Sequence, residues 1–348
     1  MTILVDATHL RATLTGLERI TVDLFGAAAL APLPVETVTA GSLKAMVASQ
    51  QVGLPLRLWR DRSAVLLCPG FPPAATLFPF RGRVVPYVHD TFLMTRWGDL
   101  NGRAKAYMAA PFRLAVRTYP HFLVNSETTR DALRALCRPD AVIQLYRPEV
   151  GNVFGVTPRL DRRLDPGALR LVALGTVEPR KNYSAAAALV SALREMGTAA
   201  TLTVVGRRGW GADWDALERT PGVTLLGYAT PEQVRDVLAT ADAFLSTSHE
   251  EGLGLPLLEA QHAGLPVIAA DIPVFREVLG DSGLLYDTAR PATAVGPLLA
   301  RMADPDWPVA AARSAAANLA RWNKGATADR SAVIAGLEAL VARTTRAA

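Results

Sequence analysis

The segment Ala243–Glu259 reads AFLSTSHEEGLGLPLLE and changes from an apolar run to a polar loop and then to a helical pattern. Its loop contains Gly252 and Gly254, which let a backbone approach a ligand or a neighbouring loop closely. Pro256 suits the first position of a helix, and the apolar residues around it fit the start of that helix. The segment therefore predicts one strand–loop–helix unit of an α/β sheet.

The same alternation extends over the second half of the chain. Strands are predicted at Leu169–Leu174, Thr201–Val205, Val223–Leu226, Ala243–Thr247, Pro266–Ala270 and Gly283–Tyr286, and helices at Ser184–Met196, Trp214–Glu218, Pro231–Thr240, Pro256–Ala263 and Pro273–Leu279. Short strands that alternate with helices predict a parallel, doubly wound sheet. We therefore expect one Rossmann-like domain in this half.

The first half of the chain repeats the pattern. Strands are predicted at Thr2–Ala7, Ala64–Cys68, Val84–His89 and Phe122–Asn125, and helices at Leu17–Leu30, Arg103–Arg117 and Glu127–Leu136. A loop rich in Pro, Arg and Asp follows at Asn152–Gly167. We expect two Rossmann-like, doubly wound α/β domains, residues 1–165 and 166–325, with a terminal helix at 326–348. Ligands of such folds bind at the carboxyl ends of the strands, which predicts a central cleft.

Composition limits the class of protein. The chain has 348 residues, half of them apolar, which is more than one compact domain usually holds. It has no run of about 18 uncharged apolar residues, and Asp6 interrupts the apolar start, so we expect a cytoplasmic protein without a spanning helix. The two cysteines, Cys68 and Cys137, lack metal-ligand spacing and are expected to be packed thiols.

Positive charge is concentrated in the first half. Residues 1–150 carry 17 lysines and arginines against 11 aspartates and glutamates, whereas residues 151–348 carry 20 against 21. Such an excess suits nucleic acid, an anionic membrane or an acidic substrate, and also a solvated face with no partner. The predicted helix at 103–117 mixes basic and apolar side chains, and we expect it to dock on anionic lipid. Its members are Arg103, Lys105, Arg113 and Arg117 with Tyr107, Met108 and Phe112.

Two adjacent cations follow the first strand of the second domain. The segment Gly175–Asn182 reads GTVEPRKN and precedes a helix. Arg180 and Lys181 would there present fixed charge, beside spare backbone donors, to an anion such as a diphosphate. An ordinary basic turn before a helix would have the same residues, so this motif alone leaves both interpretations open.

Two carboxylates flank the glycine turn of the opening segment. Glu251 precedes the turn, and Glu259 lies one turn into the helix. Carboxylates accept paired hydrogen bonds from the neighbouring hydroxyls of a sugar or a ribose. A glutamate pair that merely faces solvent is the plainer interpretation, but it gives no reason for the two glycines and the proline between them.

Residues 171–287 resemble the donor-binding domain of the GT-B glycosyltransferases, specifically the retaining enzymes of family 4. The matching segments are GTVEPRKN at Gly175, VVGRRGWG at Val204, LLGYATPEQVRDVLATADAFLSTS at Leu225, EGLGLPLLEA at Glu251 and GLPVIAADIPVFREVLGDSGLLYD at Gly264. Their order and spacing cover the whole second domain. The resemblance implies a retaining glycosyltransferase that uses no metal and no other cofactor.

The resemblance also implies roles for individual residues. Arg180 and Lys181 would bind the diphosphate of a nucleotide sugar and stabilise it as it leaves. Glu251 would contact the transferred sugar, and Glu259 would hold the ribose hydroxyls. Further donor contacts are implied at Thr15 and Gly16 in the first domain and at Gly206, Gly227, Tyr228, Gly252, Leu253, Gly254 and Leu255 in the second.

Two strand ends of the first domain resemble the acceptor side of the family. His89 and Asp90 end the strand VVPYVHD and match a His–Asp motif, which gives His89 the catalytic role that a lone histidine would not suggest. Asn125 and Ser126 in LVNSETTRDAL match a second strand end. The remaining histidines are expected to be structural, and they are His9, His121, His249 and His262.

The resemblance implies a substrate class. The chain would move a hexose from a nucleotide-diphosphate sugar to a saccharide acceptor in surface polysaccharide synthesis, including lipopolysaccharide. GTVEPRKN is most similar to bacterial mannosyl- and rhamnosyltransferases, which makes GDP-mannose the first expected donor, ahead of other hexoses and deoxyhexoses. The expected acceptor is a polyprenyl-diphosphate-linked saccharide at the inner face of the cytoplasmic membrane, and no nucleic-acid partner is expected. Trp322 and the helix after it resemble a crossover that returns 326–348 to the first domain.

Three other classes of protein fit parts of the sequence. A sugar-nucleotide epimerase would share the two domains and would convert the donor alone. A dehydrogenase is poorly supported, because Gly206, Gly209 and Gly211 do not give the GxGxxG spacing. A non-catalytic binding protein, for nucleic acid or for a glycan, would explain the basic half and leave the paired glutamates unexplained.

Overall fold

The computed structural model describes residues 2–11, 16–96, 102, 105–158, 164–165 and 167–347 of the chain. These residues fall into two compact units, one formed by Met1–Glu149 with Lys324–Ala348 and the other by Val150–Asn323. Each unit is built on a parallel sheet in which six strands are described. The predicted α/β class with two doubly wound domains is confirmed.

The first sheet has the strand order β2-β1-β3-β4-β5-β6. Its strands are β1 (Ile3–Asp6), β2 (Val35–Val38), β3 (Val65–Cys68), β4 (Val84–Val88), β5 (His121–Val124) and β6 (Val142–Leu145). The α-helices described in this unit are Gly16–Phe25, Leu43–Ala48, Leu54–Arg60, Phe92–Thr95, Ala110–Thr118 and Glu127–Arg134, with π-helical turns at Ser49–Gly53 and Lys105–Ala109 and a 3-10 helix at Ala75–Arg83. Sequence analysis missed β2 and β6, which are the two edge strands and expose part of their residues to solvent.

The second sheet has the strand order β12-β11-β10-β7-β8-β9. Its strands are β7 (Ala168–Leu174), β8 (Ala199–Val205), β9 (Val223–Gly227), β10 (Ala243–Ser246), β11 (Val267–Ala270) and β12 (Gly283–Tyr286). The helices are Tyr183–Glu195, Asp213–Glu218, Pro231–Thr240, Leu255–Gln261, Pro273–Leu279, Val295–Met302 and Trp307–Ala347, with 3-10 turns at Pro179–Lys181 and Pro291–Ala294. The six strands and five helices predicted for this half end within two residues of the observed bounds.

The second sheet is buried on both faces, as a doubly wound sheet requires. Along β7, Leu171 and Ala173 belong to one hydrophobic cluster, whereas Val172 between them belongs to the other. Phe244 and Leu245 divide between the same two clusters on β10. Burial of a large apolar side chain contributes about 1.5–3 kcal/mol, so both layers of helices hold the sheet in place.

The boundary between the units lies earlier than the predicted residue 165. Val150 and Val156 pack in the core of the second unit. The backbone N–H of Val150 donates to Asn323 Oδ1 at 2.9 Å, and Asn323 Nδ2 donates to the carbonyl of Val150 at 3.0 Å. The loop composition after residue 152 therefore misled the prediction, because the chain enters the second core before that loop.

The last helix, Trp307–Ala347, begins in the second unit, well before the predicted start at residue 326, and ends in the first. In the first unit Asp329 forms a two-point ion pair with Arg147, at 2.5 Å to Nε and 3.1 Å to Nη2. Arg330 donates to the carbonyl of Ala29 at 2.6 Å. No helix within the described ranges combines the length and the apolar composition needed to cross a bilayer.

Candidate active site

The candidate site lies at the carboxyl edge of the second sheet, where the strand order changes direction. The strands β7 and β10 pair in parallel, with Leu171 beside Ala243, although β8 and β9 lie between them in sequence. Ligands of open α/β sheets bind at such a switch point. The fold therefore brings the cationic loop after β7 next to the glutamate-bearing loop after β10.

Close backbone packing fixes the loops after β7 and β8 together. A Cβ atom on Gly206 would lie 1.9 Å from the carbonyl oxygen of Gly175, so only glycine fits at residue 206. The N–H of Val177 donates to the carbonyl of Arg207 at 2.9 Å, which extends the pairing beyond both strands. Gly206 also donates to the carbonyl of Gly227 at 2.9 Å and so joins the loop after β9.

The two predicted cations lie on a short 3-10 turn, Pro179–Lys181, whose end is set by Asn182. Asn182 has φ 51°, a left-handed conformation that asparagine tolerates better than most residues. The hydroxyl of Thr247 lies 2.9 Å from the carbonyl oxygen of Asn182. The backbone N–H of His249 donates to the carbonyl oxygen of Arg180 at 2.9 Å. These bonds hold the cationic turn against the loop after β10.

Glu251 lies between the two cations. Its Oε1 is 2.6 Å from Lys181 Nζ, and its Oε2 is 2.6 Å from Arg180 Nη1. The hydroxyl of Ser248 donates to the same Oε1 at 2.8 Å. Only 10% of the Glu251 side chain is exposed, against 22% for Arg180 and 16% for Lys181. The three charges thus form a mostly buried cluster at the switch point.

The charges of the cluster keep one another ionised. Burial alone would raise the pKa of Glu251, but the charges of Lys181 and Arg180 hold that pKa below its ordinary value. Burial alone would lower the pKa of Arg180, but Glu251 and Glu178 raise it. Glu178 accepts from Arg180 Nη2 at 2.7 Å. Two carboxylates therefore offset the two cations, and a diphosphate can use these cations fully only if it replaces a carboxylate.

The glycine turn and Glu259 follow Glu251 in the sequence. Gly254 has φ 95° and starts the Leu255–Gln261 helix, and its missing side chain leaves room for Leu257 and Phe275, which a Cβ atom would meet at 2.8 Å. Glu259 is only 6% exposed. The interpretation of a solvent-facing glutamate pair is therefore wrong. The side chain of Leu253 packs in the core, which leaves its backbone as the part that can contact a donor.

The loops after β8 and β9 present an open aromatic surface. Tyr228 follows Gly227 and is 59% exposed. The guanidinium of Arg207 lies 4.6 Å from the centre of the Tyr228 ring. Gly227 and Tyr228 were predicted from the sequence and Arg207 was not, because the contact joins two loops whose proximity depends on the pairing of β8 with β9.

His89 lies at the carboxyl end of β4 in the first unit. Its Nε2 is 2.7 Å from the carbonyl oxygen of Pro69, so this nitrogen carries the proton and Nδ1 keeps its lone pair. Burial lowers the pKa of His89 to about 4, against the effect of the bond to Pro69, so the ring is neutral at neutral pH. Asp90 accepts from the N–H of Phe92 at 2.9 Å and lies just before the Phe92–Thr95 helix.

Asn125 and Ser126 support the loop that carries His89. Asn125 Nδ2 donates to the carbonyl of His89 at 2.9 Å. Ser126 accepts from the N–H of Thr129 at 3.0 Å and caps the helix that follows. Both side chains are buried. The structure thus shows positioning bonds for these residues, and their predicted contact with an acceptor stays a prediction.

Three further residues of the first unit concern the predictions. Gly16 is the first residue of its helix, and Thr15 lies outside the described residues. His9, which was expected to be structural, is only 4% exposed, and its Nε2 lies 3.0 Å from Thr21 Oγ1. Its Nδ1 has no hydrogen-bond partner among the described residues.

Two units that are each built on a doubly wound parallel sheet have the architecture of the GT-B fold. The family model described as "Glycosyl transferases group 1" matches residues 168–301. This range is therefore similar to a group 1 glycosyl transferase domain, and the resemblance that the sequence motifs indicate for residues 171–287 is confirmed.

Solved structures share the fold at low sequence identity. Sucrose-phosphate synthase from Thermosynechococcus elongatus superposes with a TM-score of 0.71 at 14% identity and covers 100% of both chains. WaaG, described as a glycosyltransferase involved in lipopolysaccharide biosynthesis, gives a TM-score of 0.61 at 15% identity and covers 90% of this chain and 94% of its own. At these identities the likeness shows the fold alone.

Curated relatives match a shorter part of the chain. The O-antigen chain mannosyltransferase B of Escherichia coli is 34% identical over 140 residues, which are 38% of this chain and 37% of the relative. The serotype-specific mannosyltransferase WbdA of Escherichia coli is 32% identical over 127 residues, which are 35% of this chain and 16% of the relative. The chain thus matches little more than a third of the first relative and less than a fifth of the second.

Proposed function

We propose that the protein is a retaining glycosyltransferase that moves a hexose from a nucleotide-diphosphate sugar to a saccharide acceptor. The observation that carries the proposal is the buried cluster of Arg180, Lys181 and Glu251 at the switch point of the second sheet. Paired cations held by a rigid loop suit a diphosphate, since each gives charge-assisted hydrogen bonds to phosphate oxygens. Group 1 glycosyl transferases and two mannosyltransferases among the relatives support the same class.

The cations act when the sugar–phosphate bond breaks. Negative charge then develops on the departing diphosphate, and Arg180 and Lys181 stabilise it where they already stand. An acceptor hydroxyl attacks the anomeric carbon from the side that the diphosphate leaves, and its proton passes to the departing phosphate oxygen. Positioned cations of this kind commonly contribute about 3–4 kcal/mol each to transition-state stabilisation, so this step is proposed without a metal ion.

Glu251 changes its partners in this proposal. The donor diphosphate displaces the carboxylate from the two cations, and Glu251 then accepts hydrogen bonds from hydroxyls of the transferred sugar. Glu259 holds the ribose hydroxyls, and Tyr228 with Arg207 offers a surface for the nucleobase, because aromatic and guanidinium groups both stack on bases. Backbone N–H groups of residues 252–255 complete the donor site.

His89 is the proposed contact for the acceptor. Its neutral ring holds Nε2 toward Pro69, which leaves Nδ1 as the atom that can accept a hydrogen bond from another hydroxyl of the acceptor and so orient it, while the proton of the attacking hydroxyl goes to the departing phosphate. The mannosyltransferases among the relatives favour GDP-mannose as the donor. The proposed acceptor is a saccharide on polyprenyl diphosphate in O-antigen or similar surface polysaccharide synthesis, with the protein peripheral to the inner membrane face.

A donor panel tests the class and the cluster together. GDP-mannose, a nucleotide-activated rhamnose and UDP-glucose are each incubated with the protein, and release of nucleotide diphosphate is measured. We expect GDP-mannose to turn over, and Arg180→Ala or Lys181→Ala to lower kcat/KM about 100-fold. Arg313→Ala is the matched control, since Arg313 is an exposed arginine of the same unit, and it should leave the rate unchanged.

Two outcomes of the panel would overturn the proposal. Conversion of the donor into an isomer without release of nucleotide would indicate an epimerase. Donor binding with no turnover, even with lipid-linked saccharides supplied, would indicate a binding protein. Proton NMR of the first-formed product tests the stereochemistry separately, and an inverted anomeric centre would refute retention.

A further inference from the structure

A groove of about 690 Å³ opens at the amino-terminal edge of the first sheet, the edge opposite His89. It lies between the end of the Leu54–Arg60 helix, the start of β5 and the end of the last helix. Arg62, Arg83 and Arg343 line it, and no aspartate or glutamate is among its described lining residues. The groove therefore favours an anion.

Two of the three arginines are available to a ligand. Arg83 is committed to the fold, because its guanidinium donates to the carbonyls of Leu58 at 2.7 Å and Asp61 at 2.8 Å. Arg62 and Arg343 are exposed and form no ion pair within the described part of the chain. The carboxylate nearest to Arg62 in the sequence belongs to Asp61, and it accepts a hydrogen bond from the hydroxyl of Ser63 at 2.7 Å.

An exposed apolar stripe adjoins the groove. Val52, Leu56 and Trp59 are 56%, 43% and 68% exposed. They are four and three positions apart on a continuous helical segment, which places them on one face. Trp59 also lines the groove, so the stripe and the free arginines form one surface.

The segment that sequence analysis expected to dock on lipid offers no such stripe. Phe112 is 4% exposed and belongs to the core, and the hydroxyl of Tyr107 donates to Gln50 Oε1 at 2.6 Å. Met108 lines a small pocket with His89. Phe112 thus faces the core, Tyr107 and Met108 are each partly buried, and Arg103 lies outside the described residues.

We propose that the surface of Val52, Leu56, Trp59, Arg62 and Arg343 docks on an anionic phospholipid bilayer. The aliphatic side chains would enter the boundary between headgroups and acyl chains, Trp59 would lie at headgroup level, and the two arginines would bind lipid phosphates. A glycan would use the tryptophan but would gain little from valine and leucine. The inference deepens the proposed membrane contact, and its test needs no transferase activity.

The location of this surface has a consequence for the acceptor. Because the strands of the sheet are parallel, the carboxyl edge with His89 points away from the proposed bilayer. Such an orientation suits an acceptor whose non-reducing end is far from its lipid, as in a growing polysaccharide chain.

Vesicle sedimentation tests the proposal. We expect the full chain to sediment with vesicles of phosphatidylglycerol and phosphatidylcholine at low salt, to be released by NaCl, and to stay in solution with pure phosphatidylcholine. Arg62→Gln with Arg343→Gln should lower the partition coefficient about 30-fold, and Trp59→Ala about tenfold. The matched controls are Arg313→Gln and Trp210→Ala, an exposed arginine and an exposed tryptophan of the second unit, and both should bind like the parent.

Several results would overturn the proposal. The proposal is wrong if the parent chain does not bind anionic vesicles, or if the test variants bind as well as the controls. It is also wrong if glycerol phosphate displaces the protein at concentrations too low to screen charge, since that result would indicate a soluble phosphate ligand. The same variants are assayed for donor hydrolysis and thermal unfolding, and we expect neither to change. If the parent does not hydrolyse any donor, the proposed function is refuted, whereas the vesicle-binding result is unaffected.

Discussion

Lys181 Nζ lies 2.6 Å from Glu251 Oε1, although 70 positions separate the two residues in the chain. Arg180 reaches the other oxygen of the same carboxylate at 2.6 Å. The carboxylate thus occupies, between two cations, the place that the proposed function gives to a diphosphate. A side chain of the protein and the donor would then compete for the same hydrogen-bond donors.

This competition predicts opposite effects of Glu251→Gln on binding and on turnover. Glutamine is similar in shape and has no charge, so a nucleoside diphosphate no longer displaces an anion, and we expect it to bind about tenfold more tightly. Turnover should fall, because the proposed contact of Glu251 with the transferred sugar is weakened. Titration calorimetry with GDP measures the first effect and nucleotide release from GDP-mannose the second. Glu218→Gln, at an exposed residue of the same unit, is the control. Weaker GDP binding in Glu251→Gln would contradict the competition.

The same substitution predicts a change in stability that depends on pH. Removing one partner of a buried ion pair leaves uncompensated charge, and we expect Glu251→Gln to lose about 3 kcal/mol of unfolding free energy at pH 7. The pKa of Glu251 is depressed in the folded state, so its contribution is present above the ordinary value of 4.5 and is lost as the pH falls through the folded value. Urea titrations of parent and variant from pH 7 to pH 3 should therefore converge in acid. If the difference in unfolding free energy between parent and variant stays constant with pH, the ionised carboxylate of Glu251 is not the cause of the stability loss.

The sequence predicted the second unit better than the first for a physical reason. Strands such as β10 and β11 are short and almost wholly apolar, so their pattern is clear. The edge strand β2 reads VETV and is partly exposed, which removes the apolar run that would have marked it. The return of the terminal segment to the first unit, which the pair Arg147 and Asp329 illustrates, was expected from the family resemblance and not from local pattern.

The sequence predicted which residues belong to the candidate site, but it did not predict the contacts between them. The motifs name Arg180, Lys181 and Glu251, but their meeting follows from the pairing of β7 with β10, which local pattern does not encode. Glu178 lies in the quoted motif and was given no role until its bond to Arg180 was seen. The groove at Arg62 and Arg343 was missed, because it combines segments about 280 positions apart.

His89 predicts a second dependence of stability on pH, which arises from a buried neutral group and not from a buried charge. Its pKa is lowered from 6.5 to about 4 in the folded state, so the unfolded chain binds a proton first as the pH falls. Stability is therefore full above 6.5 and is lost progressively toward pH 4. Between pH 8 and pH 5 we expect the parent to lose about 2 kcal/mol more than His89→Gln, whose amide can still donate to Pro69. Equal losses in urea titrations at the two pH values would contradict the buried neutral ring.

Gly206 predicts a steric limit at the candidate site. In Gly206→Ala the new Cβ would lie 1.9 Å from the carbonyl oxygen of Gly175, and backbone cannot yield as a flexible side chain does. The loops after β7 and β8 would have to separate, and we expect a loss of about 4 kcal/mol or more of unfolding free energy together with loss of donor binding. Gly296→Ala is the control, because Gly296 lies in the Val295–Met302 helix with nothing within 4 Å of a Cβ atom, and it should gain about 0.5–1 kcal/mol. A Gly206→Ala protein that unfolds at the parent's urea midpoint and still binds GDP would show that the two loops are not held by this contact.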